Sequence, residues 1–109
     1  MITDTEIEKA LDWLRDNAKQ AGIVKATREY LDEYRKVLKA TIMREVDNES
    51  LGASEARAYA DPRYKAHLDA YRTAIEEDEY LRWMRTAAES KVSAWQSENA
   101  NQRAMSKVV

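Results

Sequence analysis

The chain has 109 residues, a formal net charge of −2, 35% charged residues, two glycines and one proline. This length allows one domain at most, and so few helix-breaking residues favour long helices. The absence of cysteine excludes disulfides, thiol chemistry and cysteine-ligated zinc or iron–sulfur sites.

The first predicted helix covers residues 3–46. Thr3 and Glu6 have the spacing of a capping box at its start. Apolar side chains follow every three or four residues from Ile7 to Ala21, and the pattern resumes from Leu31 to Val46, which predicts an inward-facing stripe. The stripe comprises Ile7, Leu11, Leu14, Ala18, Ala21, Leu31, Tyr34, Leu38, Ile42 and Val46. Gly22 either breaks this helix or is tolerated inside it, and we favour a continuous or mildly bent helix.

Residues 47–61 form the predicted connection. Asp, Asn, Ser and Gly cluster at 47–54, where the helical period is lost. Ser54 is the expected N-cap of a short helix in this connection. Asp61 is the expected N-cap of the next helix, because Pro62 suits a first helical position.

The second long helix is predicted over residues 62–105, and residues 105–109 are expected to fray. Its stripe comprises Tyr64, Leu68, Tyr71, Ile75, Leu81, Met84, Ala88, Val92, Trp95, Asn99 and Gln102. Asn99 and Gln102 are amides where apolar residues are expected. They either fix the register of a coiled-coil-like pairing or mark its wet end.

These elements predict an all-α fold, a single domain of residues 1–109 in which two long antiparallel helices form a coiled-coil-like helical hairpin. A two-helix core is thin, so several aromatic rings lie off the stripes and need cover. We therefore predict assembly into a homo-oligomeric bundle. The candidate oligomer-interface residues are Trp13, Tyr30, Tyr80, Trp83, Trp95, Asn99 and Gln102.

The segment YLRWMRTAAESKVSAWQ, residues 80–96, combines aromatic and basic residues. Trp83 lies beside arginines, where it is an interface anchor, a platform on which bases stack, or a side chain that is only partly buried. The candidate contacts to nucleic acid or a protein partner are Lys36, Lys39, Arg82, Trp83, Arg85 and Lys91. Against nucleic acid, the basic segment 23–46 is expected to face the acidic EEDE at 76–79, which indicates a matched, solvated surface.

Catalytic and membrane functions find little support in the sequence. His67 is the only histidine, and no phosphate loop or nucleophile motif is present. We predict no enzyme activity, no cofactor, no metal and no small-molecule substrate. The start MITDTEIEKALDWL lacks signal-peptide character, and no apolar run could span a membrane. A cytoplasmic protein is expected.

The stretch YLDEYRKVLKATIM, the element AYADPRY and the helix ending in AW…N…RAM carry a resemblance. Over residues 28–107 they resemble small uncharacterised helical proteins of phages and prophages, often encoded near recombination and replication genes. The resemblance implies an accessory role in DNA recombination or replication inside a bacterial host, with no active site. The partner would be single-stranded DNA or a recombination or replication protein. The alternative is a structural or adaptor module without nucleic-acid contact.

Overall fold

The computed structural model describes residues 1–108, and at position 108 the backbone only. It contains three helices, α1 (Asp4–Met43), α2 (Leu51–Ala60) and α3 (Pro62–Val108). The described chain is 90% helical and contains no strand. This confirms the predicted all-α fold with a short helix between two long ones. Val109 lies outside the described residues. It is the last residue of the predicted domain and of the end that is expected to fray.

Local side chains fix where the long helices begin. At the start of α1 the Glu6 amide donates to Thr3 Oγ1 and the Thr3 amide donates to Glu6 Oε2, each over 3.1 Å. The predicted capping box is therefore confirmed. At the start of α3 the Arg63 amide donates to Asp61 Oδ1 over 2.8 Å, and Pro62 is the first helical residue. The predicted cap at Asp61 is confirmed as well.

The short helix α2 begins earlier than its predicted cap. Ser50 is the N-cap, and its Oγ accepts from the Ala53 amide over 3.2 Å. Ser54 lies inside α2 and is buried, so the prediction that it caps the helix is wrong. The reason is that Gly52, which was expected to lie in the loop, has no positive φ and is part of the first turn of α2.

Helix α1 continues through Gly22 without a break. Gly22 has no positive φ, and a Cβ added there would meet nothing within 4 Å. The glycine is therefore not required by the backbone or by packing.

Gly22→Ala should stabilise the protein by about 1 kcal/mol, because alanine is the better helix former and narrows the unfolded ensemble. The free energy of unfolding from urea titration, followed by circular dichroism, measures this. Gly52→Ala is the matched control, since Gly52 also has open space but lies in the first turn of α2. A loss of stability in Gly22→Ala would show that the position needs its glycine.

The chain divides into two compact units. Unit 1 combines residues 1–21 with α3 from Tyr80 onward, and unit 2 is Gly22–Glu79. The main buried cluster lies in unit 2, next to the connection between the long helices. It consists of Leu38, Ile42, Ala58 and Tyr64, with Met43 packed against it. All three helices contribute to it, so this cluster is what holds the connection in place.

Unit 2 is a pairing of antiparallel helices. The guanidinium of Arg28 binds Asp78 at 3.1 Å and Glu79 at 2.9 Å, while His67, further back along α3, reaches Leu31. His67 is buried, and its Nε2–H donates to the Leu31 carbonyl over 2.7 Å. Arg28 of the basic segment therefore pairs with the acidic turn, whereas Arg35, Lys36 and Lys39 bind carboxylates of α1 and α2. The one histidine has a structural partner.

The connection is fastened by arginines. Arg57 of α2 donates to the carbonyls of Ile42 and Met43, at 2.8 and 3.2 Å, and to both carboxylate oxygens of Glu49 at 3.1 Å. Both carbonyls lie at the end of α1, where the regular helical hydrogen bonds stop, and the Ile42 carbonyl also accepts from the Glu45 amide over 3.1 Å. Between them and α2, Asn48 takes a left-handed φ of 61°, which asparagine tolerates well.

A second arginine cluster closes the same region. Arg63 makes a bidentate contact to Glu45, with both N–O distances 2.7 Å, and also binds Asp61. The hydrogen bonds from the Arg63 side chain hold the pKa of both carboxyls below their ordinary values. Both carboxylates therefore stay ionised well into acidic solution.

Unit 1 is packed more thinly. Among residues 1–21 only Ile7 and Ala10 are buried, and α3 buries no side chain among the described residues 75–107. Leu81 and Val92 are half-buried. The Ile2 amide donates to Glu98 Oε2 over 3.2 Å. This unit has the incomplete core expected of two helices without a third layer.

The residues that face inward repeat every seven residues, but several of them are not the predicted ones. On α3, Tyr64, His67 and Ala74 are buried, whereas Leu68 and Met84 are exposed. On α1, Ala10 and half-buried Asn17 face inward in place of exposed Leu11 and Ala18. The predicted inward positions of those four exposed residues are wrong. The predicted stripes have the same alternating steps of three and four, so the period does not decide which side faces inward, and contacts between the helices such as that of His67 with Leu31 do.

Candidate interaction surface on helix α3

The largest exposed aromatic residues of unit 1 lie on the outer side of α3. Trp83 is 69% exposed and Tyr80 is 62% exposed. Met84 is exposed between them and the seam, although the sequence analysis had assigned it to the seam. Rings of this size in water are costly, and they gather where proteins bind partners.

Three basic candidate residues flank this aromatic pair. Arg82, Arg85 and Lys91 are all exposed. Arg85 and Lys91 form no ion pair with any described residue, so their charges remain available to a partner. The structure thus brings Arg82, Trp83, Arg85 and Lys91 onto three consecutive turns of one helix.

The other two basic candidates belong to unit 2 and already have partners. Lys36 lies 3.4 Å from Glu33. Lys39 lies 3.5 Å from Glu55, and its ammonium stands 4.8 Å from the centre of the Tyr59 ring. Tyr59 and Glu55 together hold the pKa of Lys39 above its ordinary value. These contacts make Lys39 part of the packing of α1 on α2 and weaken its case as a phosphate contact.

The remaining interface candidates differ in exposure. Tyr30 is exposed, with its ring stacked on Tyr34 at 5.9 Å between centroids. Trp95 and Asn99 are half-buried, and Gln102 is exposed. Trp13 is half-buried rather than exposed, because the inward stripe passes through Ala10 and Asn17, one helical turn to either side of it.

An open depression follows the last turns of α3. Its lining is Asn99, Gln102, Arg103, Ser106 and Lys107. These residues lie on one helix, so they form a polar face rather than a cavity.

Two further observations concern the described residues as a whole. They bring no three His, Asp or Glu side chains together in a way that could hold a metal ion. Within residues 1–108, no helix has an apolar stretch of the length that a bilayer crossing needs.

Sequence reasoning missed Ala87 and Ser90, which lie on the same outer face as Tyr80 and Trp83 and are exposed. The spacing of three, four and three between these four residues was the available signal.

Comparison with family models, with curated proteins and with solved structures finds no match to this chain, so its family and the resemblance to phage proteins stay predictions.

Proposed function

We propose that this chain is a non-enzymatic protein-interaction module that works as a homo-oligomer through the outer face of α3. The exposure of Trp83 carries the proposal, because a tryptophan at the point of a helix furthest from its seam has no role within the chain. The thin core of unit 1 supports it, since association would cover apolar surface that the two helices leave open.

The absence of a catalytic role is part of the same proposal. The sequence contains one histidine, and that side chain is buried against a backbone carbonyl in unit 2. The exposed polar residues on α3, which include cations, carboxylates and amides, lie on a convex helix surface. Such a surface suits binding rather than bond making.

Molar mass in solution tests the proposal. Sedimentation equilibrium over a wide concentration range should give a mass above that of one chain. Trp83→Ala should weaken association by at least about 30-fold, the usual effect of losing an interface anchor. Leu51→Ala is the control, since Leu51 is equally exposed but lies on α2. A chain that stays monomeric at all concentrations contradicts the proposal.

Single-stranded DNA is the second candidate partner, favoured by the flanking of Trp83 by Arg82 and Arg85. Bases would stack on the ring while the guanidinium groups hold phosphates. On the resemblance to phage and prophage proteins, this would be an accessory role in recombination or replication in the host cytoplasm. The mixed charge of the surrounding helix makes it the weaker candidate.

Fluorescence anisotropy of a labelled oligothymidylate separates the two candidates. DNA binding requires an affinity that falls as salt rises and that is lost when Arg82→Ala and Arg85→Ala are combined. Lys25→Ala removes an exposed, unpaired charge on α1 and is the matched control. No binding at low salt removes the DNA candidate and leaves the oligomer proposal standing.

A further inference from the structure

We infer that α3 pairs with α3 of a second copy of this chain in antiparallel orientation, through a face made of Tyr80, Trp83, Ala87 and Ser90. The inference rests on the proposed function and names the partner and the geometry of its contact. It starts from the exposure of all four side chains on one helix.

These four residues form a stripe of their own. Their spacing of three, four and three places them on one side of α3, roughly 140° around the helix axis from the half-buried stripe through Leu81 and Ala88. This second stripe therefore has no partner within the hairpin. A helix with two separate stripes is typical of bundles in which it contacts two neighbours.

The sizes of the four side chains are complementary to themselves. When two α3 helices run antiparallel about a point near residue 85, Trp83 faces Ala87 of the second copy. Tyr80 then faces Ser90 of the second copy, and each contact occurs twice because the arrangement is twofold. A large ring beside a small side chain lets the helices approach closely, as knobs enter holes.

The charges along one edge of the stripe are complementary in the same way. Glu77, Met84 and Lys91 follow at intervals of seven residues, so they lie in one row. Glu77 and Lys91 are exposed and form no ion pair with any described residue. In the antiparallel arrangement Glu77 lies beside Lys91 of the second copy, and the two Met84 side chains meet at the axis.

The orientation follows from these two patterns. A parallel pair would set Trp83 against Trp83 and would place the two rows of Glu77, Met84 and Lys91 on opposite edges of the contact, where their charges could not pair. Two rings at one level also hold the helices apart. Glu77 would also repel phosphates, so the face suits a copy of itself better than nucleic acid.

Chemical cross-linking tests the orientation directly. The sequence has no cysteine, so each single-cysteine variant carries one reactive thiol. Met84→Cys should give a covalent dimer with a short bifunctional thiol reagent. Ala94→Cys should not, because in the antiparallel pair the two positions lie roughly 27 Å apart at 1.5 Å per residue. A parallel pair would cross-link Ala94→Cys, because residue 94 continues the stripe and would face its own copy at one level, and this result would overturn the inference.

Charge exchange tests the pairing of side chains. Glu77→Lys and Lys91→Glu should each weaken association about tenfold, because each variant sets like charges together twice. The double variant should recover the original affinity, and an equimolar mixture of the two single variants should form mixed dimers. A role of either residue within its own chain would not produce recovery in the mixture.

The outcomes distinguish this inference from the function on which it rests. An oligomer in which neither Met84→Cys nor Ala94→Cys cross-links and charge exchange has no effect uses another face, so the inference fails and the homo-oligomer proposal stands. A chain that is monomeric in sedimentation equilibrium contradicts both the α3 pairing and the homo-oligomer proposal. Cross-linking at Met84 alone together with recovery in the mixture supports both.

Discussion

Ile42→Ala is expected to lower the free energy of unfolding by about 3 kcal/mol. Ile42 is fully buried at 0% exposure and packs with Leu38, Ala58 and Tyr64, where the three helices meet. Removing three carbon atoms there leaves a cavity that a tightly packed helical junction cannot close. Native proteins have total stabilities of about 5–15 kcal/mol, so the loss is a large share of the whole.

Urea titration followed by circular dichroism measures the effect, at one fixed protein concentration because association would add to the apparent stability. Ile23→Ala is the matched control. Ile23 is also on α1 but is 49% exposed, so its loss should be well below 1 kcal/mol. Equal losses in the two variants would show that the cluster around Ile42 does not dominate the stability of unit 2.

Arg57→Met is expected to cost about 2 kcal/mol, the second largest effect. The methionine keeps the apolar stem, but the Met43 carbonyl loses the Arg57 donor, the Ile42 carbonyl keeps only the Glu45 amide, and the carboxylate of Glu49 loses its charged partner. The free energy of unfolding of Arg57→Lys should lie between that of Arg57→Met and that of the original protein, because an ammonium cannot reproduce the planar set of donors.

Arg72→Met provides the comparison for Arg57→Met in the same urea titrations. Arg72 also binds a carboxylate, Glu76 at 3.2 Å, but its side chain is 81% exposed. Exposed pairs at this spacing contribute less than about 0.5 kcal/mol. If both variants lose the same amount, the contacts of Arg57 to the end of α1 add nothing beyond an ordinary surface pair.

The sequence predicts the helices well where short-range chemistry decides. Thr3 with Glu6 and Asp61 with Pro62 are local signals, and both appear at the helix starts as expected. Ser50 and Ser54 show the limit of such signals. Both are good capping residues, and which one acts depends on where α1 stops and how Ser54 packs against its neighbours.

The inward faces were harder to predict because the candidates lie side by side. Residues 67 and 68 on α3 are histidine and leucine, and hydrophobicity favours the leucine. The structure buries His67, whose ring finds the Leu31 carbonyl, and leaves Leu68 exposed. A contact between residues 36 positions apart decides this, and a helical period read along one segment carries no such information.

The sequence predicted only some residues of the candidate surface, and the reason is physical. Trp83 and its arginines stand out by residue type, so they were identified without coordinates. Ala87 and Ser90 are small and unremarkable in sequence, and only their exposure beside Tyr80 and Trp83 shows that they belong to the same face. Complementarity of size becomes visible once both large and small positions are known.

The contrast between the filled junction of unit 2 and the sparse packing of unit 1 sets how their backbones open to solvent. Amide hydrogens near Ile42 should exchange with deuterium only through large opening events, whereas those in unit 1 exchange through small ones. Anything that covers the outer face of α3 raises the energy of those small openings. The deuterium uptake of peptides from unit 1 therefore reports whether that face is occupied, and it needs no substitution in the chain.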